Sequence, residues 1–546
     1  MRRYCKSMKI NSFHPVKDRE FYRNKGILSN VSLGRRLADA MEKFADRTAL
    51  VQGDNMVSYK QLLELTDRAA AWLLNHDILP GERILVELPN SIALTVVILG
   101  AIRSAIVPVL ALAGQKEKDI SALCRLSEPR LFIAADRWNG IDYSGVISLV
   151  KNTCPQTGVV CLTADQDLGP DYSPILADEP RREYPEPDSL QTALMLLSGG
   201  TTGTPKLIPR THAGYQYNAD RMAEITGTDE NSVFLATIPE AHNFSLSCPG
   251  LFGILSRGGK FVIPRNASFD ECFDLIEKHR VTIVPLVPGL AKIWAEAASW
   301  YGADLSSLKV MQVGGARLEV HDAKLILDTF GPVLQQVYGT AEGLINATRL
   351  DDPQEVILST QGRPISEYDE YRIVDHSGCC VGPGEAGELI TRGIYTIDGY
   401  FRAPEKNREA FTQDGWYRMG DLVRETDDGN FVVVGRIKDQ INRAGEKIAP
   451  SELEEPMACY PDVQAAVAVA VPDETLGERI CLFIVSENFD STCDEVRRYL
   501  RDQGLPEWKL PDDCVVIRSL PLTAVGKIDR KALLGMADRE PEPAEE

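Results

Sequence analysis

Residues 194–209 read LMLLSGGTTGTPKLIP, an apolar run followed by a loop of glycine, serine and threonine that ends in a lysine. The apolar run predicts a buried strand, and the three glycines after it allow the backbone to approach a ligand closely. Backbone amides, hydroxyl groups and one lysine on such a turn suit phosphate oxygens. The loop is not a Walker A loop, because Lys206 is followed by Leu207 and the required spacing fails. The stretch therefore predicts a phosphate-binding loop at a strand end, in preference to a flexible Gly/Thr linker.

On both sides of this loop, apolar runs rich in valine, isoleucine and leucine alternate with amphipathic stretches. The apolar runs are residues 82–88, 104–112, 130–135, 232–238, 260–264, 282–287 and 308–315. The amphipathic stretches include Leu33–Phe44, Tyr59–His76 and Phe269–His279. Alternating strands and helices predict an α/β architecture with largely parallel sheets covered on both faces. From about Ser359, short strands with Gly and Asp turns predict a small, β-barrel-like subdomain.

The chain has 546 residues, enough for two or more domains. A boundary is predicted near Gly435–Asp439, giving a large N-terminal domain over 1–436 and a small α+β C-terminal domain over 437–546. Residues 438–546 contain 13 basic and 23 acidic residues, a net charge of −10, against −20 for the whole chain. Half of the excess negative charge therefore lies in a fifth of the sequence, which indicates a separate domain.

Charge and apolar content exclude several classes of protein. With 59 basic and 79 acidic residues, the chain has no overall positive field for nucleic acid or an anionic membrane. The most apolar stretch, Ile92–Gly114, is interrupted by Arg103 and Pro108, so it predicts a buried helix and strand and no membrane insertion. The N-terminus lacks the apolar region of a signal peptide. These features predict a cytoplasmic protein.

Twelve cysteines are scattered along the chain without a CxxC pair. No local zinc or redox motif is therefore predicted. In a reducing cytosol, most of these cysteines are expected to be small buried residues.

Six further motifs follow the loop: AHNF (241–244), VGGA (313–316), QQVYGTAEG (335–343), YRMGDLV (417–423), GRIKDQINRAGEKI (435–448) and PLTAVGKIDRKAL (521–533). Together with the loop they resemble the adenylate-forming superfamily of acyl-CoA synthetases, luciferases and peptide-synthetase adenylation domains. The resemblance extends from about residue 30 to 535. It is strongest to the stand-alone aryl-acid AMP ligases of siderophore assembly, which activate salicylate or 2,3-dihydroxybenzoate. It implies ATP and Mg²⁺ as cofactors and a separate aryl carrier protein with a phosphopantetheine arm as partner.

The resemblance also implies roles for individual residues. Lys527 is expected to bridge the incoming carboxylate and the α-phosphate, and Glu342 to ligate Mg²⁺. His242 would flank the path of the carboxylate. Lys438 would form a hinge about which a mobile small domain turns between adenylation and thioester formation. The implied ATP-binding residues are Ser198, Gly199, Gly200, Thr201, Thr202, Gly203, Thr204, Lys206, Gly315, Ala316, Val337, Tyr338, Gly339, Thr340, Asp421 and Arg436.

Asn243 bears on the class of acid. Amino-acid-activating relatives resemble one another in having an aspartate there, which pairs with an ammonium group, whereas an amide exchanges hydrogen bonds with a neutral hydroxyl. Asn243 therefore favours a 2-hydroxyaryl acid. Phe244 would supply an aromatic wall, Gly314 would leave room for a flat ring, and Val337 would line the same pocket.

Two further positions bear on the ring substituents. Where dihydroxybenzoate enzymes resemble one another in having a serine, this chain has Cys248, a weak hydrogen-bond donor. Where valine is common in those enzymes it has Ile345, which narrows the pocket. Both differences favour salicylate, which lacks the 3-hydroxyl. The alternative is that Cys248 only packs the core, in which case the enzyme would accept both acids.

Other functions remain as alternatives. An aryl-CoA synthetase would share the first step and use free coenzyme A as acceptor. A luciferase-like role is not suggested by Asn243, and a non-enzymatic scaffold would be expected to lack Lys527 or Glu342. One departure from the family pattern is Pro456, which is expected to kink a helix of the small domain that Ser451 would cap.

Overall fold

The computed structural model of the protein describes residues 15–115, 117–138, 141–165, 169–198, 205–444, 446–473, 475–522 and 528–537. The described residues form two compact units. The first comprises residues up to Glu370 together with Thr391–Arg418, and the second comprises Tyr371–Ile390 together with residues from Met419 onward. The predicted division between residues 436 and 437 remains a prediction.

The first unit contains a nine-stranded sheet. In spatial order its strands are Arg363–Pro364, Gly343–Ala347, Leu334–Thr340, Val310–Gly314, Ile283–Leu286, Val233–Leu235, Lys260–Ile263, Thr48–Gln52 and Asn55–Ser58. The pairs from Leu334–Thr340 through to Thr48–Gln52 are parallel, and antiparallel pairs close both edges. Most inner strands are largely apolar because helices cover both faces of a parallel sheet. The exceptions include buried glutamines on two adjacent strands, where Gln312 donates to Gln335 Oε1 at 2.9 Å.

A six-stranded sheet in the same unit contains the strand before the glycine-rich loop. Its strands in spatial order are Leu207–Thr211, Thr192–Leu197, Val107–Leu110, Arg83–Glu87, Leu131–Ala135 and Gly158–Leu162. Every pair is parallel except Thr192–Leu197 with Leu207–Thr211, which is antiparallel. These two sheets confirm the predicted parallel-rich α/β architecture.

Helices connect most of these strands. In the first unit they are Pro15–Asn24, Leu33–Lys43, Tyr59–Asn75, Ile92–Arg103, Glu117–Ser127, Ser144–Thr153, His212–Ile225, Asn243–Ser247, Gly250–Arg257, Phe269–His279, Pro288–Tyr301, Val320–Phe330, Gln354–Ser359 and Pro404–Ala410. The helix Tyr59–Asn75 begins with a capping box between Ser58 and Gln61, which satisfies two amides at its start. The apolar stretch Ile92–Gly114 contains a buried helix and the strand Val107–Leu110, as predicted.

The second unit contains most of a four-stranded sheet, ordered Glu370–Val374, Gly387–Arg392, Tyr417–Glu425 and Phe431–Arg436. This sheet corresponds to the predicted β-rich subregion. A five-stranded sheet follows, made of Glu446–Ile448, Ile441–Arg443, Gly477–Val485, Ala465–Asp473 and Asp513–Ile517. Ser451–Met457, Cys493–Asp502 and Arg530–Ala537 are its helices. Within the described ranges, no helix of either unit is long and apolar enough to cross a membrane.

The cysteine prediction is wrong at one pair. Cys493 and Cys514 form a disulfide with their Cα atoms 5.3 Å apart, joining the start of a helix to a neighbouring strand. They are 21 positions apart, so sequence spacing gave no local signal for a contact that tertiary packing creates. Five other cysteines are buried as expected, namely Cys124, Cys154, Cys248, Cys272 and Cys481. Four others among the described residues are exposed, namely Cys161, Cys379, Cys380 and Cys459, so the expectation that most cysteines are buried is also wrong.

The helix that contains Pro456 also differs from expectation. It extends over Ser451–Met457 and ends one residue after the proline. The predicted cap at Ser451 is wrong, because its hydroxyl donates instead to the carbonyl oxygen of Val434, at 2.7 Å. The serine thus joins the helix to the end of the preceding sheet within the second unit.

Candidate functional site

Two antiparallel strands hold the ends of the glycine-rich loop together. Leu197 lies opposite Leu207, and the Ser198 N–H donates to the Lys206 carbonyl oxygen at 3.0 Å. Gly199, Gly200, Thr201, Thr202, Gly203 and Thr204 lie outside the described residues. Their role as phosphate ligands stays a prediction, as does that of Ser198.

Lys206 and Glu342 share a contact with one tyrosine. The Lys206 Nζ lies 3.4 Å from the Tyr400 hydroxyl and 4.4 Å from its ring centroid. The same hydroxyl donates to Glu342 Oε1 at 2.8 Å, and Glu342 is only 7% exposed. Burial, together with the negative charge of Glu342, raises the pKa of Tyr400, so it remains a protonated donor. A cation and a carboxylate that are predicted to take part in ATP chemistry therefore contact the same phenol hydroxyl.

Glu342 has the donor type that a magnesium ion requires. In the described parts of the chain, no group of three or more His, Cys, Asp or Glu side chains could hold a metal ion. Mg²⁺ does not need such a group, because it is usually bound by one or two carboxylates with waters and substrate phosphates. A single buried carboxylate whose tyrosine partner also contacts Lys206 fits this requirement.

The predicted nucleotide contacts around residues 314–340 lie at the carboxyl ends of two adjacent parallel strands. Gly314 of Val310–Gly314 pairs with Val337 of Leu334–Thr340. Gly315 and Ala316 are exposed directly after the first of these strands, and Gly315 has a φ of +88°. Tyr338, Gly339 and Thr340 emerge from burial at the end of the second. Ligands of open α/β sheets bind at such strand ends, so these positions are suited to the predicted nucleotide.

A short helix carries the residues predicted to bind the acid. His242 precedes the helix Asn243–Ser247, and its Nδ1 accepts from the Phe244 N–H at 3.2 Å. Asn243 is buried, with its Nδ2 3.8 Å from the Cys248 sulfur. The Ser247 hydroxyl donates to the Asn243 carboxamide oxygen at 3.3 Å. Burial raises the pKa of the Cys248 thiol to about 12, so the residue beside the amide is neutral.

The remaining predicted pocket residues lie together in one apolar cluster. Phe244, Cys248, Val337 and Ile345 pack there with Tyr395 and with other aliphatic side chains. A Cβ on Gly314 would lie 2.4 Å from the Val337 carbonyl oxygen and 3.2 Å from the Phe244 ring. Gly314 is therefore required mainly by the close approach of the Val337 carbonyl oxygen, with the Phe244 ring packed tightly beside it. The Ile345 Cδ1 atom occupies the space that a side chain on Gly339 would need.

One buried arginine next to this cluster was missed by the sequence analysis. Arg210 donates to the Ala341 carbonyl oxygen at 2.5 Å and to Asn218 Oδ1 at 3.4 Å. Asn218 in turn donates to the Ser247 carbonyl oxygen at 3.0 Å. Burial lowers the pKa of Arg210. The arginine thus links the residue preceding Glu342 to the helix of Asn243, a connection that spans 131 positions and leaves no local pattern.

A tyrosine–aspartate pair behind Ile345 was also missed. The Ile345 N–H donates to the Tyr395 hydroxyl at 3.1 Å, and that hydroxyl donates to Asp369 Oδ2 at 2.7 Å. Burial raises the pKa of Asp369 to about 8. The pair fixes the strand that carries Ile345.

Three predicted residues belong to the second unit. Asp421 and Arg436 lie opposite each other on adjacent strands, with Arg436 Nε 3.2 Å from Asp421 Oδ1. The Asp421 side chain is buried, whereas Arg436 is partly exposed. Lys438 is exposed in the short 3₁₀ turn Ile437–Asp439. Lys527 lies outside the described residues, between Leu522 and Ile528, which form an antiparallel bridge.

Comparison with known proteins agrees with these features. Residues 37–401 match the AMP-binding enzyme family, and residues 452–527 match the AMP-binding enzyme C-terminal domain. The chain is 42% identical to the 2,3-dihydroxybenzoate-AMP ligase of Bacillus subtilis, over 96% of this chain and 97% of that protein. It is also 42% identical to the salicyl-AMP ligase / salicyl-S-ArCP synthetase of Mycobacterium tuberculosis, over 94% and 92%.

A solved structure shows the same fold. The apo structure of Mycobacterium smegmatis MbtA is 40% identical, with a TM-score of 0.73 over 96% of this chain and 98% of that chain. Relatives of this identity and coverage belong to the same family. The chain therefore belongs to the AMP-binding enzyme family, as an adenylate-forming enzyme of the aryl-acid AMP ligase type.

Proposed function

We propose that this protein activates salicylate with ATP and transfers the salicyl group to the phosphopantetheine thiol of a separate aryl carrier protein in siderophore biosynthesis. The observation that carries the proposal is the buried amide of Asn243 beside the neutral thiol of Cys248, in a cluster walled by Phe244, Val337 and Ile345. An amide can exchange hydrogen bonds with a phenolic hydroxyl, and a flat ring suits apolar walls. Relatives at 42% identity are named for dihydroxybenzoate and for salicylate, so the class of acid is shared by both.

The choice of salicylate rests on Cys248. A 3-hydroxyl on the ring would need a hydrogen-bond partner, and a buried thiol is a weak one. An unpaired buried hydroxyl costs about 1–3 kcal/mol, enough for roughly tenfold discrimination or more. The second candidate, 2,3-dihydroxybenzoate, is favoured by the named Bacillus relative.

In the first half-reaction a carboxylate oxygen bonds to the α-phosphorus of ATP as the bond to the leaving pyrophosphate breaks, so two anions must approach each other. Lys206 and Lys527 are proposed to supply positive charge at the phosphates, with the Thr340 hydroxyl as a further donor. Mg²⁺ held by Glu342 would neutralise phosphate charge when bound. Tyr400, which donates to Glu342, holds that carboxylate in place.

The remaining nucleotide contacts are proposed from position. Gly315, Ala316, Val337, Tyr338 and Gly339 at the strand ends would hold the adenine. Asp421 would accept the ribose hydroxyls, with Arg436 beside it. His242 is proposed to flank the incoming carboxylate.

The second half-reaction is proposed to follow a turn of the small domain at Lys438. Its exposed position in the turn Ile437–Asp439, directly after the strand Phe431–Arg436, is compatible with a hinge. Such a turn would bring Lys527 to the site for adenylation and withdraw it for thioester formation.

The test is ATP–pyrophosphate exchange with salicylate, 2,3-dihydroxybenzoate, benzoate and several amino acids side by side. Strong exchange with salicylate and weak exchange with the dihydroxy acid supports the proposal. Preference for the dihydroxy acid supports aryl-acid AMP ligase activity but contradicts the argument that Cys248 selects salicylate. Exchange with none of the aryl acids contradicts the proposal that Asn243 binds the hydroxyl group of a 2-hydroxyaryl acid.

The acceptor is tested separately. Purified salicyl-adenylate is offered with either a phosphopantetheinylated aryl carrier protein or free coenzyme A. Faster transfer to the carrier supports the proposal, and faster transfer to coenzyme A indicates an aryl-CoA synthetase instead.

A further inference from the structure

The first helix, Pro15–Asn24, precedes the region that matches the AMP-binding enzyme family, and none of its residues belongs to the motifs quoted above. One of its side chains is nevertheless buried. Arg19 is 8% exposed, although arginine is almost never so deeply buried unless paired. Hydrogen-bond partners must therefore compensate the buried charge of Arg19.

All three guanidinium nitrogens of Arg19 contact one short stretch of chain, residues 394–400, referred to here as segment 394–400. Nε donates to the Ile394 carbonyl oxygen at 3.3 Å, and Nη1 donates to Asp398 Oδ2 at 2.5 Å. Nη2 donates to the carbonyl oxygen of Thr396. A planar guanidinium with fixed donor directions holds three acceptors in one arrangement, which a lysine ammonium would not do.

Segment 394–400 in turn contacts the predicted metal ligand. The Ile397 N–H donates to the Glu342 carbonyl oxygen at 2.8 Å, and the Tyr400 hydroxyl donates to the Glu342 carboxylate at 2.8 Å. Both the backbone and the side chain of Glu342 are thus held by this segment. The position of the carboxylate depends on the position of residues 397 and 400.

The same segment contacts the wall of the predicted acid pocket. The Tyr395 hydroxyl accepts from the Ile345 N–H at 3.1 Å and donates to Asp369 at 2.7 Å. Downstream of the first helix, Leu28 is buried in the cluster that contains Phe244, Cys248 and Ile345. The N-terminal region therefore packs behind both parts of the site without contributing a residue to either.

We propose that Arg19 is a positioning residue for adenylation: it fixes segment 394–400, which holds Glu342 for Mg²⁺–ATP and Ile345 for the aryl acid. This inference rests on the proposed function, because it takes Glu342 as the metal ligand and Ile345 as a pocket wall. Residues behind a metal ligand commonly change metal affinity or activity by 10–100-fold when they are replaced. Arg19 lies one contact further from the ligand, so Arg19→Gln is expected to raise the half-saturating concentration of Mg²⁺ by roughly tenfold, the lower end of that range, and to raise that of salicylate as well.

The chain offers a matched control on the same helix. Arg23, one turn later, pairs with Asp188 at 2.6 Å in a solvent-exposed contact that touches neither part of the site. Exposed ion pairs contribute little, so Arg23→Gln is expected to change the same constants by less than about twofold. Arg19→Lys keeps the charge without the fork and is expected to lie between Arg19→Gln and wild type.

The experiment measures binding as well as turnover. Calorimetric titration of wild type, Arg19→Gln, Arg19→Lys and Arg23→Gln with salicylate, and with ATP at increasing magnesium, gives affinities that do not depend on catalysis. Pyrophosphate exchange gives kcat and KM, and thermal unfolding reports stability. The inference is supported if Arg19→Gln binds salicylate more weakly and needs more magnesium to bind ATP, with a smaller change in kcat.

Unchanged affinities of Arg19→Gln for salicylate and magnesium overturn the inference. This holds also where the unfolding temperature and kcat fall, since that combination indicates general destabilisation. If Arg19→Gln does not fold, Asp398→Asn, which keeps all three donors and both backbone acceptors, decides the matter by the same measurements with a smaller expected shift. Wild-type protein that binds no aryl acid overturns the proposed function, and this inference with it.

Discussion

Replacing Cys248 by serine changes one atom at the point where the pocket is proposed to distinguish two acids. The sulfur is buried, lies 3.8 Å from the Asn243 Nδ2, and belongs to a thiol whose pKa burial raises to about 12. A serine hydroxyl in the same place has almost the same shape, is a much better hydrogen-bond partner and can still accept from Asn243. Cys248→Ser therefore adds a partner for a ring 3-hydroxyl without opening a cavity.

The size of the effect follows from the cost of an unpaired hydroxyl. That cost is about 1–3 kcal/mol, and each 1.4 kcal/mol corresponds to about a factor of ten in relative kcat/KM. Ile345 is unchanged in the variant, and its Cδ1 still fills the space beside Gly339, so the pocket stays narrow. We therefore expect a gain in the lower half of the range of about 1–3 kcal/mol. We expect the ratio of kcat/KM for 2,3-dihydroxybenzoate to that for salicylate to rise about tenfold.

Pyrophosphate exchange with both acids at matched ATP and magnesium measures this ratio. Cys272→Ser is the control, because Cys272 is an equally buried thiol in a different apolar cluster and should leave the ratio unaltered. A ratio that does not move in Cys248→Ser, in a protein that still exchanges with salicylate, would refute the assignment of Cys248 to the pocket. Equal losses for both acids would show that the thiol only packs the core.

Three further predictions concern charged residues. Lys527→Ala should abolish pyrophosphate exchange but leave transfer from supplied salicyl-adenylate largely intact. Lys531→Ala, which changes an exposed neighbouring lysine, should leave both half-reactions unchanged. Loss of both half-reactions in Lys527→Ala would exclude the proposed hinge. Glu342→Gln should raise the magnesium concentration needed for half-maximal exchange by at least tenfold, and unchanged magnesium dependence would remove Glu342 as the ligand. Burial raises the pKa of Glu240 from 4.5 to about 8, so the folded state keeps a proton that the unfolded state loses. The contribution of Glu240 to the free energy of unfolding should therefore fall by up to ~1.4 kcal/mol per pH unit between about pH 4.5 and 8. Glu240→Gln, which keeps the acceptor for Thr95, should reduce the slope measured in denaturant titrations by that amount.

Most of the fold could be predicted from sequence because its signals are local. The helix Phe269–His279 has the predicted bounds, and the strands Arg83–Glu87 and Lys260–Ile263 lie within the predicted apolar runs. A run of valine, isoleucine and leucine between polar turns is favourable only when it is buried on both faces, so it identifies a parallel strand without knowledge of its neighbours. Strand order and the disulfide of Cys493 depend on distant residues, and no local pattern predicts them.

In the candidate site, too, the residues within local motifs could be predicted, whereas the residues that act through distant contacts could not. Asn243, Cys248, Gly314 and Ile345 were identifiable because they lie in motifs of a known family, and the structure places them in or beside one cluster. The residues that hold them, such as Arg210 and the pair Tyr395 and Asp369, carry no motif that distinguishes them from ordinary core residues. They were missed because their importance comes from contacts made across 26 to 131 positions of sequence.

The two buried carboxylates predicted to bind ATP differ in the charge of their partners, and this separates the ligands they can accept. Asp421 faces the guanidinium of Arg436, so its negative charge is already balanced and it favours an uncharged ligand such as a sugar hydroxyl. Glu342 accepts from a neutral phenol, so its charge is less balanced and it is the better ligand for a divalent ion. Of these two carboxylates, Glu342 is therefore the one expected to prefer a divalent cation, and Asp421 the one expected to prefer a hydroxyl group.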